Sequence, residues 1–197
     1  MLTQITIPEQ VAVVVLDMDG TIYSKPRMAL YMIARQWRHL PSLIAERRWR
    51  KAQRKALLQG TPMPPMPVSE QWYRESYLPS MVDIIARHYH PAPWLQPLLD
   101  ECKQRKIRVL ILSDYEAVTD KLHALGLQQD AFDAILATGD FSTIKPDPHL
   151  GDILTPYITN NAAFSWQQVL FIGDREDTDG QLAHALGAQF RLVGKSD

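Results

Sequence analysis

The chain has 197 residues, 46% of them hydrophobic and 22% charged, with a formal net charge of −1. That balance excludes a disordered chain, and the longest purely apolar run, Val11 to Leu16, falls far short of the roughly 20 residues a membrane-crossing helix takes. A single cysteine, Cys102, excludes an internal disulfide, and no cysteine cluster exists to hold zinc.

The opening MLTQITIPEQ carries neither a basic flank nor an apolar secretion core, so a cytoplasmic location with no membrane partner is expected. Val11 to Leu16 is apolar and rich in valine, the pattern of a strand buried on both faces of a parallel sheet. Similar short runs recur at Ile107 to Leu112, Ala134 to Ala137, Val169 to Ile172 and Phe190 to Val193. Helical spacing lies between them: Trp94 to Lys106, Ala117 to Leu125, His149 to Tyr157 and Asp179 to Leu186, with Gly126 and Gly187 placed to cap the second and the last. Strands alternating with helices predict an α/β fold with a doubly wound, Rossmann-like parallel sheet.

Ile22 to Pro93 breaks that alternation, with helical patterns and no good strand. Ala45, Trp49, Ala52 and Ala56 form one stripe expected to pack inward, with Arg47, Arg50, Lys51 and Arg54 expected on the outward side. A proline-rich loop from Gly60 to Pro67 follows, then a helical region over 69–88 expected to bend near Pro79. Ile22 to Leu95 holds 12 Lys/Arg against 4 Asp/Glu, whereas the remainder holds 9 against 18. Such a partition suggests two units: a discontinuous core and a helical insert after its first strand.

The strand ends carry the chemistry. The first strand runs into Asp17-Met18-Asp19-Gly20-Thr21, the second into Ser113, the third precedes Lys145-Pro146-Asp147-Pro148, and the fourth ends in Gly173-Asp174-Arg175-Glu176-Asp177-Thr178-Asp179. Taken alone, the first segment points to a site, with an Asx-type turn as the alternative reading. In open parallel sheets, however, ligands bind beyond the carboxyl ends of the strands. Carboxylates, a hydroxyl and a lysine converging there suit Mg²⁺-assisted phosphoryl transfer.

These four segments, in this order, resemble the motifs of the haloacid dehalogenase superfamily of phosphohydrolases, over residues 11–21 and about 95–193. The resemblance implies an enzyme, a phosphomonoesterase with Mg²⁺ as cofactor and a small phosphorylated substrate. It implies Asp17 as nucleophile and Asp19 as the acid and base, Ser113 and Lys145 as phosphate-binding groups, and Asp17, the Asp19 carbonyl and Asp174 as metal ligands. Asp179 matches the second acid of the family's longer fourth-motif spacing and would support the metal shell; Thr178 would hold that place in the shorter one. Asp177 is read either as a site acid or as a helix N-cap. The acid at position 19 points to phosphate esters, since dehalogenases and phosphonate-cleaving members lack it.

The insert resembles a helical C1-type cap, giving a core of residues 1–21 and 94–197 and a cap of residues 22–93. Two other functions stay open: a sugar-phosphate mutase, and an idle scaffold that binds an anionic partner through the basic insert. Nucleic acid is not an expected partner, and the sequence leaves oligomeric state open. Between Lys25 and Lys55 lie ten Lys/Arg and one acid, Glu46, with Lys25 and Arg27 expected nearest the site. Gly194-Lys195-Ser196 lacks the rest of a P-loop. His88, His90 and His149 are read as solvated or structural, Cys102 as inert core, and Trp37, Trp49, Trp72 and Trp94 as core more than as stacking platforms.

Overall fold

The computed structural model describes residues 4–159 and 164–193. The first three residues of the amino-terminal segment and the Gly194-Lys195-Ser196 segment discussed above lie outside the described residues. Five strands, β1 (Val13–Leu16), β2 (Arg108–Ser113), β3 (Ala134–Ala137), β4 (Val169–Gly173) and β5 (Gln189–Leu192), form one sheet in the order β3-β2-β1-β4-β5. Every neighbouring pair is parallel. This is the expected doubly wound α/β sheet, with β1 central between β2 and β4.

Alternation explains why the strands read as unbroken apolar runs. Val14 and Leu16 join Val109, Ile111, Leu170 and Ile172 on one face, while Val13 and Val15 join Leu110, Leu112, Val169 and Phe171 on the other. Both faces are covered. Helices α5 (Leu95–Arg105) and α6 (Val118–Ala124) cover the first; α7 (Leu150–Ile158) and α8 (Gln181–Leu186) cover the second.

Between β1 and β2 lie α1 (Met28–Arg35), α2 (Leu40–Gln59), α3 (Glu70–Trp72) and α4 (Leu78–His88). The interruption expected near Pro79 lies at Tyr73–Tyr77, a π-helical segment that joins α3 to α4. Pro79 sits in the first turn of α4, where its missing N–H does least harm. The insert has no separate core: Met32, Tyr73, Tyr77, Met81 and Ile85 join the cluster under the first sheet face. Trp94 is buried and Trp72 packs against the same cluster, but Trp37 is 64% exposed, against the core reading.

The stripe expected on α2 does not face inward as a unit. Ala52 is exposed, whereas Glu46 and Arg50 are buried, so the buried side is rotated toward charged residues. They tolerate this because they pair with each other one turn apart, and the Arg50 guanidinium lies 3.8 Å over the Tyr115 ring.

Candidate active site

Asp17 and Asp174 follow β1 and β4, adjacent strands whose onward connections run to opposite sides of the sheet. This is the topological switch point, where strand ends leave a crevice. Asp17 accepts hydrogen bonds from the Thr21 hydroxyl at 2.8 Å and the Lys145 ammonium at 2.6 Å. The same ammonium donates to Asp179 at 2.6 Å and to the Leu112 carbonyl at 3.0 Å. Burial disfavours its charge, but Asp17, Asp179 and Asp114 outweigh that and raise Lys145 well above the ordinary lysine range.

Carboxylate oxygens of Asp17, Asp174 and Asp179 lie within 4.8 Å of one another. Two glycines permit this approach. Gly20, at φ 107°, leaves no room for a side chain, since a Cβ there would strike the Asp174 carboxylate; one at Gly173 would strike Asp179. Burial, aided by the charge on Asp17 and opposed by Lys145, lifts the Asp179 carboxyl to about 6. Burial also lifts Asp174, with Lys25 opposing it from 3.6 Å. Three carboxylates face two ammonium groups, Lys145 and Lys25, so the oxygen cluster retains excess negative charge and fits a hard divalent cation. The Asp19 carbonyl, the other oxygen expected to ligate, is hydrogen-bonded by Lys25 here.

Asp19 has different surroundings. Its carboxylate accepts from the Tyr23 hydroxyl at 2.5 Å and from Lys121 at 3.0 and 2.7 Å through its two oxygens. Burial alone would raise this carboxyl, yet Lys121 and Lys25 hold it below the usual range. Lys121 is fully buried, which pushes its ammonium down against the pull of Asp19. The Ser113 hydroxyl lies 3.3 Å from Asp19 and 2.9 Å from the Tyr115 carbonyl, and accepts from the Tyr115 N–H at 3.1 Å.

All six sequence-predicted site residues therefore gather at one sheet edge, in two groups: Asp17, Lys145, Asp174 and Asp179 in one, Asp19 and Ser113 in the other. Asp177 pairs with Arg175 on the surface and caps no helix, contrary to the N-cap reading. Lys25 lies in the site as expected, but Arg27 is exposed and lines no described cavity there. Arg54, expected outward, reaches Asp114 at 3.2 Å, and Arg50 donates to the Asp114 carbonyl at 2.8 Å. With Arg47 and Lys51 they wall a polar cavity of about 690 Å³ over Asp17 and Asp174. His88, His90 and His149 are exposed, with His88 stacked on Tyr31 at 4.2 Å.

Sequence reasoning missed Lys121, Tyr23 and Asp114. Lys121 left a readable signal, because it shares the inward stripe of Val118, Leu122 and Leu125, where a lysine needs a buried anion. Asp114 directly follows Ser113; its carboxylate accepts from the Lys145 N–H at 3.0 Å and the Thr138 hydroxyl at 3.3 Å. Tyr23 left no signal, since its partner Asp19 was already assigned a role.

Comparison with known proteins supplies a family. The sequence matches the profile of the haloacid dehalogenase-like hydrolase over residues 14–193. No curated protein matches. Among solved structures, a predicted phosphoglycolate phosphatase from Haemophilus somnus 129PT is 18% identical, with a TM-score of 0.65, covering 94% of this chain and 85% of its own. CbbY from Rhodobacter sphaeroides, in complex with phosphate, is 16% identical with a TM-score of 0.66, over 93% and 86%. A β-phosphoglucomutase from Clostridium difficile is 19% identical with a TM-score of 0.64, over 93% and 85%.

Proposed function

The chain belongs to the haloacid dehalogenase-like hydrolase family, and we propose that it is a Mg²⁺-dependent phosphomonoesterase acting on a small phosphorylated metabolite through an aspartyl-phosphate. The observation that carries this reading is the Lys145 ammonium set 2.6 Å from both Asp17 and Asp179, at the strand ends beside Asp174. It orients Asp17 through their hydrogen bond, and supplies positive charge where a phosphoryl group would lie. The phosphate bound by the CbbY relative is consistent with that assignment.

Asp17 Oδ attacks phosphorus, the ester P–O bond breaks, and the leaving oxygen takes a proton from Asp19, which the carboxylate first picks up from solvent as the substrate dianion binds beside it. Asp19, then a carboxylate, removes a proton from the water that attacks the aspartyl-phosphate, and Asp17 is regenerated. Lys121 and Tyr23 position Asp19 for both steps, and Ser113, next to Asp19, offers its hydroxyl to a phosphoryl oxygen. Bound Mg²⁺, held by Asp17, Asp174 and the Asp19 carbonyl with Asp179 in support, would neutralise charge on the transferring group. Residues 22–93 serve as a cap over a core of residues 1–21 and 94–197, and exclude water when substrate is bound.

The test is release of p-nitrophenol from p-nitrophenyl phosphate with and without Mg²⁺. Turnover that requires Mg²⁺ is expected; none under any divalent cation would refute the reading.

A further inference from the structure

A second cavity adjoins the polar one. Of about 370 Å³, it falls in the size range of small-ligand pockets. The two cavities share Asp19, Lys25, Arg47 and Tyr115, so Asp19 stands at their junction. The wall of the second is hydrocarbon: Met28, Met32 and Ile33 from α1, Leu43 and Ile44 from α2, and Met81 from α4. Its polar side chains are mostly committed to protein partners. The Tyr23 hydroxyl bonds Asp19, Lys25 bonds the Asp19 carbonyl, and Glu46 pairs with Arg50. Arg47 and the rings of Tyr77 and Tyr115 complete the lining.

The pocket also opens outward onto apolar surface. Ile33, Leu40 and Ile44 line it yet stay 39–44% exposed, and Leu30, one turn before Ile33, is 64% exposed. Apolar side chains gathered at a pocket mouth mark a ligand groove more than a solvated face.

From this arrangement we infer that the substrate is a monophosphate ester of a hydrocarbon alcohol, with its alkyl or isoprenoid-like chain lying in the α1–α2–α4 pocket. The inference rests on the phosphomonoesterase reading above. With phosphate in the polar cavity and the ester oxygen at Asp19, the described cavity that also reaches Asp19 is open to the rest of the substrate, and its wall is apolar. A sugar placed there would lose water from its hydroxyls and regain few partners, since Tyr23, Lys25 and Glu46 are already paired. A hydrocarbon chain gains with every methylene buried, about fourfold per methylene at the usual transfer free energy.

The experiment is a kcat/KM series on ethyl, butyl, hexyl and octyl phosphate, below their aggregation concentrations. It is run beside glucose 6-phosphate, 2-phosphoglycolate and acetyl phosphate, with Mg²⁺ present. The expected result is a rise of about fourfold per methylene until the pocket is filled, with both polar metabolites below hexyl phosphate. Ile44→Glu, at a half-exposed position that should fold, is expected to flatten the series, and Ile44→Leu to restore it. A flat series, or preference for either polar metabolite, would overturn the hydrocarbon pocket while leaving the phosphatase reading intact. Failure to hydrolyse any of these esters or acetyl phosphate would overturn the phosphatase reading, and this inference with it.

Discussion

Asp17 and Asp19 are two residues apart, yet their neighbours give them different work. Asp17 faces Lys145 and the acidic cluster; Asp19 faces Lys121, Tyr23 and Ser113. Asp17→Asn should abolish turnover, because an amide is a poor nucleophile. Asp19→Asn should lower kcat by about 10²–10⁴-fold, the usual worth of general acid–base assistance, and should leave Mg²⁺ affinity near wild type. Lys121→Met should lower kcat more than it raises KM, since Lys121 touches Asp19 and lines neither cavity. Steady-state kinetics of the three variants would check this order. pH supplies a further prediction. The Asp179 carboxyl, raised to about 6 from the ordinary 3.8, takes up a proton as pH falls through about 6. Protons then compete with the cation, so the Mg²⁺ concentration giving half-maximal rate should climb below about pH 6 and level off above it. Titrations at several pH values would expose the trend, and a half-maximal concentration independent of pH would contradict it. The acids at the strand ends were legible because carboxylates closing apolar runs have few structural uses. The shell around Asp19 was not, because a buried lysine's partner depends on tertiary packing that no local spacing encodes.

At the scale of elements, α2 is where local pattern and structure part. A stripe of alanines and a tryptophan looked like the buried side because isolated arginines belong in water. Glu46 and Arg50 are one helical turn apart, and Arg50 also donates to the Tyr73 hydroxyl at 2.8 Å and to the Asp114 carbonyl. That set of partners turns a charged residue inward. Arg50→Met should therefore destabilise the fold by about 3–5 kcal/mol, because it strands the buried Glu46 carboxylate. Glu46→Gln combined with Arg50→Met should recover part of that loss. Urea midpoints for the single and double variants would measure the coupling. The same rotation revises which cations meet substrate. Lys25→Gln and Arg54→Gln should each raise KM, whereas Arg27→Gln, at an exposed position outside both cavities, should leave it within about twofold. Substrate kinetics of these three variants would check the division.

For the whole molecule, the order β3-β2-β1-β4-β5 fixes the chemistry's location before any side chain is considered, because β1 and β4 part at their carboxyl ends. The sheet was legible because five apolar runs, buried on both faces, leave little else to build. The way the insert shares the sheet's core was hidden, since helices packed on a sheet or on themselves have similar periodicity. The charge partition, 12 Lys/Arg against 4 acids over Ile22 to Leu95, puts positive charge opposite the acidic strand ends, with Arg47, Arg50, Lys51 and Arg54 walling the polar cavity. Attraction of an anionic substrate should weaken with salt, so kcat/KM should fall as ionic strength rises and the Debye length shrinks toward a few ångströms. The most direct test of the account is to look for the covalent intermediate. Wild-type protein quenched in acid during turnover, then digested, should give a peptide containing Asp17 that carries one phosphoryl group, and Asp17→Asn should give none. A phosphoryl group on another residue, or active enzyme whose Asp17 peptide stays unmodified at every quench time, would contradict it.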